Sequence, residues 1–240
     1  MKVALQLYSI RDKVEKDFFG SLKQVKEIGY DGVEFAGYGG IPANEMKAKL
    51  DQLGLAVAGS HVSYDDLKQD LEKEVSYAKE IGAYSVVCPW YQADSKEGWL
   101  KFFQDLNTFG KRFAQEGILF GYHNHKQEFE KLDGKYIMDL LLEHCDPEYV
   151  TAEFDVHWVY KGGESPLEYV KRYAERCRLL HAKEVAKDGE SDTEVGDGII
   201  PFPEIIKSLP KLEWLIVEQE GFSIDEWESV RKSCDYLKSI

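Results

Sequence analysis

AEFDVHW, residues 152–158, places three ionisable side chains at alternate positions of a predicted strand. Side chains along a strand point to opposite faces in turn, so Glu153, Asp155 and His157 share one face. Long helix-like segments precede and follow this strand, and a strand in that setting is usually buried on both sides. Buried Asp and Glu are rare unless they are paired or bind a metal. The stretch therefore predicts a line of ionisable groups inside the protein, together with something that compensates their charge.

The rest of the chain repeats a strand-then-helix pattern, and glycine follows several of the helical segments. Helices are predicted over Phe18–Ile28 and Ala43–Leu53, each followed by a glycine, and one long helix is predicted over Asp65–Ile81. The predicted strands are Val3–Ser9, Gly32–Ala36, Leu55–Val62, Tyr84–Trp90, Ile118–His125, Tyr149–Trp158, Leu179–Val185 and Trp214–Glu220. Eight such units in 240 residues, without a Pro/Gly/Ser-rich linker, predict a single domain over residues 1–240 with the TIM (β/α)8 barrel fold. A doubly wound sheet is the alternative, but no glycine-rich dinucleotide turn follows the first strand.

Composition and charge narrow the class of protein. A hydrophobic fraction of 43% and a charged fraction of 31% are typical of soluble globular domains. The net charge of −14 disfavours nucleic acid as a partner, because phosphates attract basic surfaces. Four scattered cysteines without a CxxC pair predict a reduced, cytoplasmic protein that has no thiolate zinc site. The N-terminal MKVALQLYSIRD is too briefly apolar for a signal peptide or a membrane span, so we expect no membrane partner; a homo-oligomer stays open.

Near its carboxyl end, each predicted strand carries its polar side chains on one face. In a TIM barrel these faces converge at the rim where the active site lies. His123, Asp155, His181 and Glu218 come from strands five to eight, which are neighbours around half of a barrel. A single strand-end histidine or glutamate is usually structural or solvated, but two imidazoles and two carboxylates together suit Mn, Co, Mg or Zn. We therefore predict one divalent metal ion bound by these four residues.

Other rim residues are candidates for substrate binding, with a carbohydrate as the expected small-molecule partner. The candidates are Glu34, His61, Trp90, His125, His157 and Trp158. The first three come from strands two to four, across the barrel from the metal, and are expected to hold sugar hydroxyls and the ring face. We expect His125, His157 and Glu153 to contact either the metal ligands or the substrate. Trp158 is either a core residue or a stacking surface.

Motifs on six strands resemble those of the sugar isomerase/epimerase family with the xylose isomerase-like TIM barrel. They are QLYS in strand one, GVEF in two, GYHNHKQEFE in five, FDVHW in six, LHAKE in seven, VGDG after it and VEQEG in eight. The resemblance implies one divalent metal held by a carboxylate from strand five, an Asp from six, a His from seven and a Glu from eight. Asp155, His181 and Glu218 match the last three. His123 stands where the better-studied epimerases have the first of two Glu residues that act as paired acid and base.

The resemblance further implies a sugar isomerase or epimerase that abstracts a proton next to the carbonyl of a ketose or keto-sugar. A metal chelated by the carbonyl and the adjacent hydroxyl would stabilise the ene-diolate. We predict Glu218 as the base, His123 or His125 as the group that returns the proton, and Lys183 as a donor to the same oxygen.

Three alternatives stay open. A lyase or dehydratase acting on a keto-sugar or related polyol would share the first step, the abstraction of the proton. A sugar-binding barrel with a degenerate site is favoured only by the absence of Glu from strand five. A nuclease of the endonuclease IV type would share the barrel, but it would need more metal ligands and a basic face for DNA.

Overall fold

Eight parallel strands close into a barrel in the computed structural model, which describes residues 1–240. Each strand pairs in parallel with the next one along the chain, and the eighth pairs with the first. The strands are β1 (Lys2–Gln6), β2 (Gly32–Ala36), β3 (Ala56–His61), β4 (Ser85–Cys88), β5 (Leu119–His123), β6 (Thr151–Asp155), β7 (Cys177–Ala182) and β8 (Trp214–Val217). This topology confirms the predicted TIM (β/α)8 fold.

Helices surround the barrel and bury their apolar faces against it. They are α1 (Arg11–Lys16), α2 (Phe18–Ile28), α3 (Ala43–Leu53), α4 (Tyr64–Gln69), α5 (Leu71–Ile81), α6 (Lys96–Ala114), α7 (Ile137–His144), α8 (Val156–Lys161), α9 (Pro166–Arg172), α10 (Phe202–Ser208) and α11 (Glu226–Ser239). Short 3-10 turns cover Leu7–Ile10, Gln127–Phe129 and Ala174–Arg176, and a small hairpin, Glu184–Val185 with Asp192–Thr193, follows β7. None of the helices combines the length and the apolar character needed to cross a bilayer.

The barrel interior changes from apolar to ionisable along its axis. The N-terminal part is filled by a separate buried cluster of Ala4, Ala58, Val87, Leu179, Trp214 and Ile216. Two residues further along β1, β7 and β8, the same faces carry Gln6, His181 and Glu218. Because an apolar layer lies beneath them, charged groups in the upper layer must be compensated by one another or by a bound ion.

The predicted sixth strand extends three residues beyond the observed carboxyl end of β6. β6 ends at Asp155, whose Oδ1 accepts a hydrogen bond of 3.0 Å from the backbone nitrogen of Trp158 and so caps α8. His157 and Trp158 therefore lie on a helix and do not continue the strand alternation. The alternating pattern predicts the strand but not its end, because the capping bond depends on a side chain that also fits the strand face.

Other predicted boundaries are also wrong. The single helix over Asp65–Ile81 is two helices, because Asp70 leaves the helical conformation and caps α5 by accepting from the backbone nitrogen of Lys73 at 3.1 Å. β4 ends at Cys88, which packs in the outer core, so Trp90 lies in the following loop and off the inward face. The ends of β5, β7 and β8 are also two or three residues earlier than predicted, where the pairing with neighbouring strands stops.

Candidate metal centre

The four residues predicted to bind a metal meet at the carboxyl end of the barrel. His123 and Asp155 end β5 and β6, His181 lies on β7, and Glu218 directly follows β8. One donor atom from each lies within 4.8 Å of the other three, and all four side chains are buried. We call these residues the outer set. The structure brings them together, and their role as metal ligands stays a prediction.

Three atoms of the outer set that could bind a metal have no hydrogen-bond partner. These are His123 Nδ1, Asp155 Oδ2 and His181 Nδ1. His181 Nδ1 lies 2.8 Å from Glu218 Oε2, yet the two atoms do not form a hydrogen bond. A buried polar atom without a partner costs about 1–3 kcal/mol, so several of them at one point call for an explanation such as an ion. Two imidazole nitrogens and two carboxylates fit a divalent cation.

Asp155 is held in place by a residue that the sequence analysis missed. Asn124 Oδ1 accepts from the backbone nitrogen of Asp155 at 3.1 Å, and Asn124 Nδ2 donates to its backbone oxygen at 3.3 Å. Because Oδ1 of Asp155 is occupied by the α8 cap, only Oδ2 faces the other donors. The signal in the sequence is the Asn between the two histidines of HNH, directly after β5.

A second group of polar side chains lies against the inner side of His181. Glu34 Oε2 lies 2.7 Å from His181 Nε2 and 3.2 Å from His61 Nε2, and accepts a hydrogen bond of 2.9 Å from Gln6 Nε2. Glu153 Oε2 lies 2.8 Å from His61 Nε2 and 3.2 Å from His181 Nε2. We call Gln6, Glu34, His61 and Glu153 the inner network. Glu34 and His61 thus lie against the predicted metal ligand His181, and the expectation that they lie across the barrel from it is wrong.

Charges in the inner network compensate one another. Burial alone would raise the pKa of Glu34 and of Glu153, but the neighbouring imidazoles outweigh it, so the pKa of Glu153 falls to about 2 and that of Glu34 falls well below its ordinary value. Burial alone would lower the pKa of His61, but Glu34 and Glu153 raise it to about 10. The contacts of 2.7–3.2 Å between these imidazoles and carboxylates are hydrogen-bond distances. The inner network is therefore built of hydrogen-bonded ion pairs.

The outer set has a buried cation beside it. Lys183 Nζ lies 3.3 Å from Glu218 Oε1 and also contacts the carboxylate of Glu220. Burial would lower the pKa of Lys183, but Glu218 and Asp155 outweigh it and raise the value above its ordinary range. Burial would raise the pKa of Glu218, but Lys183 and His181 lower it below its ordinary range. Burial dominates at Asp155 and raises its pKa to about 7.

The predicted substrate-binding residues lie in different places. His125 and Trp158 face each other at 5.6 Å between ring centres, and Lys183 Nζ lies 4.8 Å from the centre of the Trp158 ring. Burial lowers the pKa of His125 to about 4, so this imidazole is neutral at pH 7. His157 turns to the loop after β7, where its Nδ1 lies 3.1 Å from the backbone oxygen of Glu184. Trp90 is 53% exposed in the loop after β4.

Two acidic residues hold the loop after β7 through hydrogen bonds to backbone nitrogens, and the sequence predicted no such role for them. Asp192 Oδ2 accepts from the backbone nitrogens of Glu220 at 2.9 Å and Gly221 at 3.0 Å. The buried carboxylate of Glu184 accepts from the backbone nitrogens of Val185, Gly196, Ile199 and Ile200. The Lys-Glu pair at the end of the predicted seventh strand is the only sequence signal, since the backbone partners of Glu184 depend on the loop conformation.

Comparisons with known proteins agree with this architecture. Residues 22–240 match the family described as xylose isomerase-like TIM barrel. An inosose dehydratase from Mesomycoplasma hyopneumoniae strain 7448 is 27% identical, over 93% of this chain and 88% of that protein. The crystal structure of a sugar phosphate isomerase/epimerase from Parabacteroides distasonis has a TM-score of 0.83 and 27% identity, covering 99% of this chain and 94% of that one. An L-ribulose 3-epimerase with a TM-score of 0.76 is 12% identical, covers 99% of this chain and 93% of that one, and shows the fold alone.

Proposed function

Since this chain belongs to the xylose isomerase-like TIM barrel family of sugar-modifying enzymes, we propose that it removes a proton next to the carbonyl of a polyhydroxylated ketone, with the help of a divalent metal. The observation that carries the proposal is the outer set, in which three buried donor atoms lack hydrogen-bond partners at the barrel rim. A site of this kind, beside a buried lysine and a neutral histidine, suits chemistry on a carbon acid.

His123, Asp155, His181 and Glu218 would hold the metal, as Mn, Co, Mg or Zn. When bound, a divalent cation supplies Lewis acidity, which polarises the carbonyl and stabilises the negative charge that forms on its oxygen. The apolar floor of the barrel and the buried ligands keep bulk water away from this charge. The chain's own residues then have to position the ketone and move its protons.

Glu218 is the proposed base. Its carboxylate lies between His181 and Lys183, and the charge of Lys183 holds its pKa below the ordinary range against the effect of burial, so it is ionised at neutral pH. A fixed carboxylate close to the substrate carbon gains from proximity, which offsets its low intrinsic basicity. Lys183 remains a cation and lies beside Glu218. From there it would donate a hydrogen bond to the substrate carbonyl oxygen, on which negative charge forms.

We favour loss of water over epimerisation as the outcome. Epimerisation at one carbon needs an acid and a base on opposite faces of the substrate, and His123 stands where the two-Glu epimerases carry the first of their two carboxylates. In a dehydration, the electron pair of the broken C–H bond forms a C=C bond and expels the hydroxyl of the next carbon as water. That reaction needs one base and a proton for the leaving hydroxyl; Glu218 can serve both purposes, because it then carries the proton taken from the C–H bond, whereas His125 is neutral. The likeness to an inosose dehydratase supports this order.

Isomerisation or epimerisation of a ketose is the second candidate. It is favoured by the likeness to the sugar phosphate isomerase/epimerase, which covers nearly the whole chain. The acidic loop after β7 gives little support to a phosphorylated substrate, because its side chains include Glu190, Asp192, Glu194 and Asp197. We therefore place unphosphorylated keto-polyols first among the substrates.

The test is a reaction of the manganese-loaded protein with inososes and ketohexoses in D₂O. A dehydratase releases water and forms a product that contains one oxygen and two hydrogens less, which mass spectrometry detects. An epimerase or isomerase instead forms a sugar that has lost no water and carries deuterium at the carbon next to the carbonyl. If the metal-loaded protein causes neither water loss nor exchange with any of these ketones, the proposal is wrong. The protein freed of metal by chelation is the matched control and should show neither reaction.

A further inference from the structure

The two ring nitrogens of His181 face different surroundings. Nε2 points to the inner network, where Glu34 Oε2 lies at 2.7 Å and Glu153 Oε2 at 3.2 Å. Nδ1 points to the outer set and has no hydrogen-bond partner, although Glu218 Oε2 is 2.8 Å away. The side chain is fully buried, so water cannot replace either set of neighbours. The state of one nitrogen therefore determines what the other is free to do.

Glu34 is the better placed of the two carboxylates that meet Nε2. Its Oε2 is also the acceptor for Gln6 Nε2 at 2.9 Å, and its side chain has no exposed surface. The carboxylate passes over Gly59, where an added Cβ would lie only 2.2 Å from Glu34 Oε1. The absence of a side chain at residue 59 thus leaves room for the carboxylate in this position. Glu153 lies further from His181 and is shared with His61.

We propose that Glu34 is the positioning residue of His181 and holds its imidazole in the form that carries hydrogen on Nε2 and leaves Nδ1 free. An ionised carboxylate can only accept, so a contact of 2.7 Å to Nε2 requires hydrogen on that nitrogen. The lone pair of Nδ1 is then free on the side of the ring where Glu218 Oε2 lies 2.8 Å away. Glu34 fixes the orientation of the ring as well as its tautomer, as partners of metal-binding histidines do. This inference rests on the proposed metal site.

The first experiment measures zinc affinity in variants at residue 34. Glu34→Met removes the acceptor and should weaken zinc binding by about 10- to 100-fold, the range found for partners of metal-binding histidines. Glu34→Gln keeps an acceptor oxygen but loses the charge, so it should recover part of the affinity. Glu194→Gln is the matched control, because Glu194 is also buried but bonds to Ser229, away from the outer set. It should bind zinc like the unmodified protein.

The second experiment reads the tautomer directly. In protein labelled with ¹⁵N-histidine, the imidazole nitrogen shifts of His181 in the unmodified protein at high pH and in its zinc complex report which nitrogen carries hydrogen. We expect hydrogen on Nε2 and, with zinc, metal on Nδ1. This measurement needs no variant, so it tests the proposed tautomer even where Glu34→Met does not fold.

Hydrogen on Nδ1 of His181 in the zinc complex would overturn the inference, and so would equal zinc affinities for the unmodified protein and a folded Glu34→Met. An affinity for Glu34→Gln lower than for Glu34→Met would also contradict it, because the acceptor oxygen would then bring no gain. If the unmodified protein itself binds no divalent metal, the proposed function fails first, and this outcome is distinct from the others.

Discussion

The outer set and the inner network lie within one barrel and share similar side chains, yet they are satisfied in different ways. In the inner network, Glu34, His61 and Glu153 meet one another and His181 at hydrogen-bond distances. In the outer set, His123, Asp155 and His181 each have one atom that could bind a metal and that forms no hydrogen bond. Buried carboxylates and imidazoles thus do not by themselves indicate a metal site. What distinguishes the two groups is that each of these inner side chains has an oppositely charged partner at hydrogen-bond distance, although Glu34 Oε1 and Glu153 Oε1 also lack a hydrogen-bond partner.

The difference also explains how the charges are balanced. The inner carboxylates are compensated by the imidazolium of His61, whose pKa is raised to about 10 by Glu34 and Glu153 against the effect of burial. The outer carboxylates have Lys183 beside them, but the pKa of Asp155 still rises to about 7 because burial dominates there. A bound cation would supply the compensation that Asp155 lacks.

Removing Asp155 should produce the largest effect, because it breaks the outer set and leaves the inner network intact. We expect Asp155→Ala to lose divalent metal after dialysis, with affinity lowered by more than the ~100-fold typical of indirect partners. Metal content by mass spectrometry is the measurement. Asp155→Asn is the control for the fold, since it keeps an oxygen for the α8 cap, worth about 1 kcal/mol, but lacks the charge. Full metal occupancy in both variants would remove Asp155 from the ligands.

The role of Glu218 is tested against its neighbour Glu220. Glu218→Gln should slow exchange of the substrate proton with D₂O by about 10²- to 10⁴-fold, the usual contribution of a general base. Glu220→Gln should leave exchange largely intact, because Glu220 contacts Lys183 at the edge of the site and is not in the outer set. If Glu220→Gln loses exchange and Glu218→Gln retains it, Glu218 is a metal ligand only and Glu220 is the base.

Glu128 provides a third kind of buried carboxylate, with no cation beside it. It accepts from Tyr122 Oη at 2.5 Å and from the backbone nitrogen of His125 at 2.7 Å, and burial raises its pKa to about 7 from 4.5. The native state therefore keeps this proton to higher pH than the unfolded chain, so stability falls as pH rises from about 4.5 to 7. Glu128→Gln cannot ionise and should escape that loss.

Urea unfolding at pH 5 and pH 7.5 measures the effect of Glu128. The stability of Glu128→Gln relative to the unmodified protein should increase by about 1–3 kcal/mol over this interval, given 1.36 kcal/mol for each unit of pKa difference. A constant difference between the two proteins at both pH values would mean that Glu128 is already ionised at pH 5 and is compensated as the inner carboxylates are.

The smallest expected effect is at Trp90, which lies outside both groups. It is 53% exposed, in the loop after β4, and is predicted to cover the ring face of a sugar. Trp90→Ala should raise KM severalfold, equivalent to about 1 kcal/mol of aromatic contact, while metal content stays unchanged. An unchanged KM would leave substrate binding to the residues around Trp158.

By itself, the sequence determined the fold and the composition of the outer set. Strand alternation is a local property, so it put Asp155 on an inward face whatever the rest of the chain does. The repeat of strands and helices determined the barrel, and the barrel rule placed His123, His181 and Glu218 around the same rim. The exact helices α2 and α3 were also predicted, because glycines at their ends carry a local signal.

Only the tertiary structure decided which ionisable groups meet. Glu34 on β2 contacts His181 on β7 because an eight-stranded barrel is narrow, and side chains from strands far apart in sequence fill the same layer. Strand alternation gives the face of a residue but not its depth along the axis or its partner across it. For the same reason the sequence could not separate the inner carboxylates, which pair with imidazoles, from Asp155, which does not: the difference depends on distances of a few ångströms between side chains on separate strands.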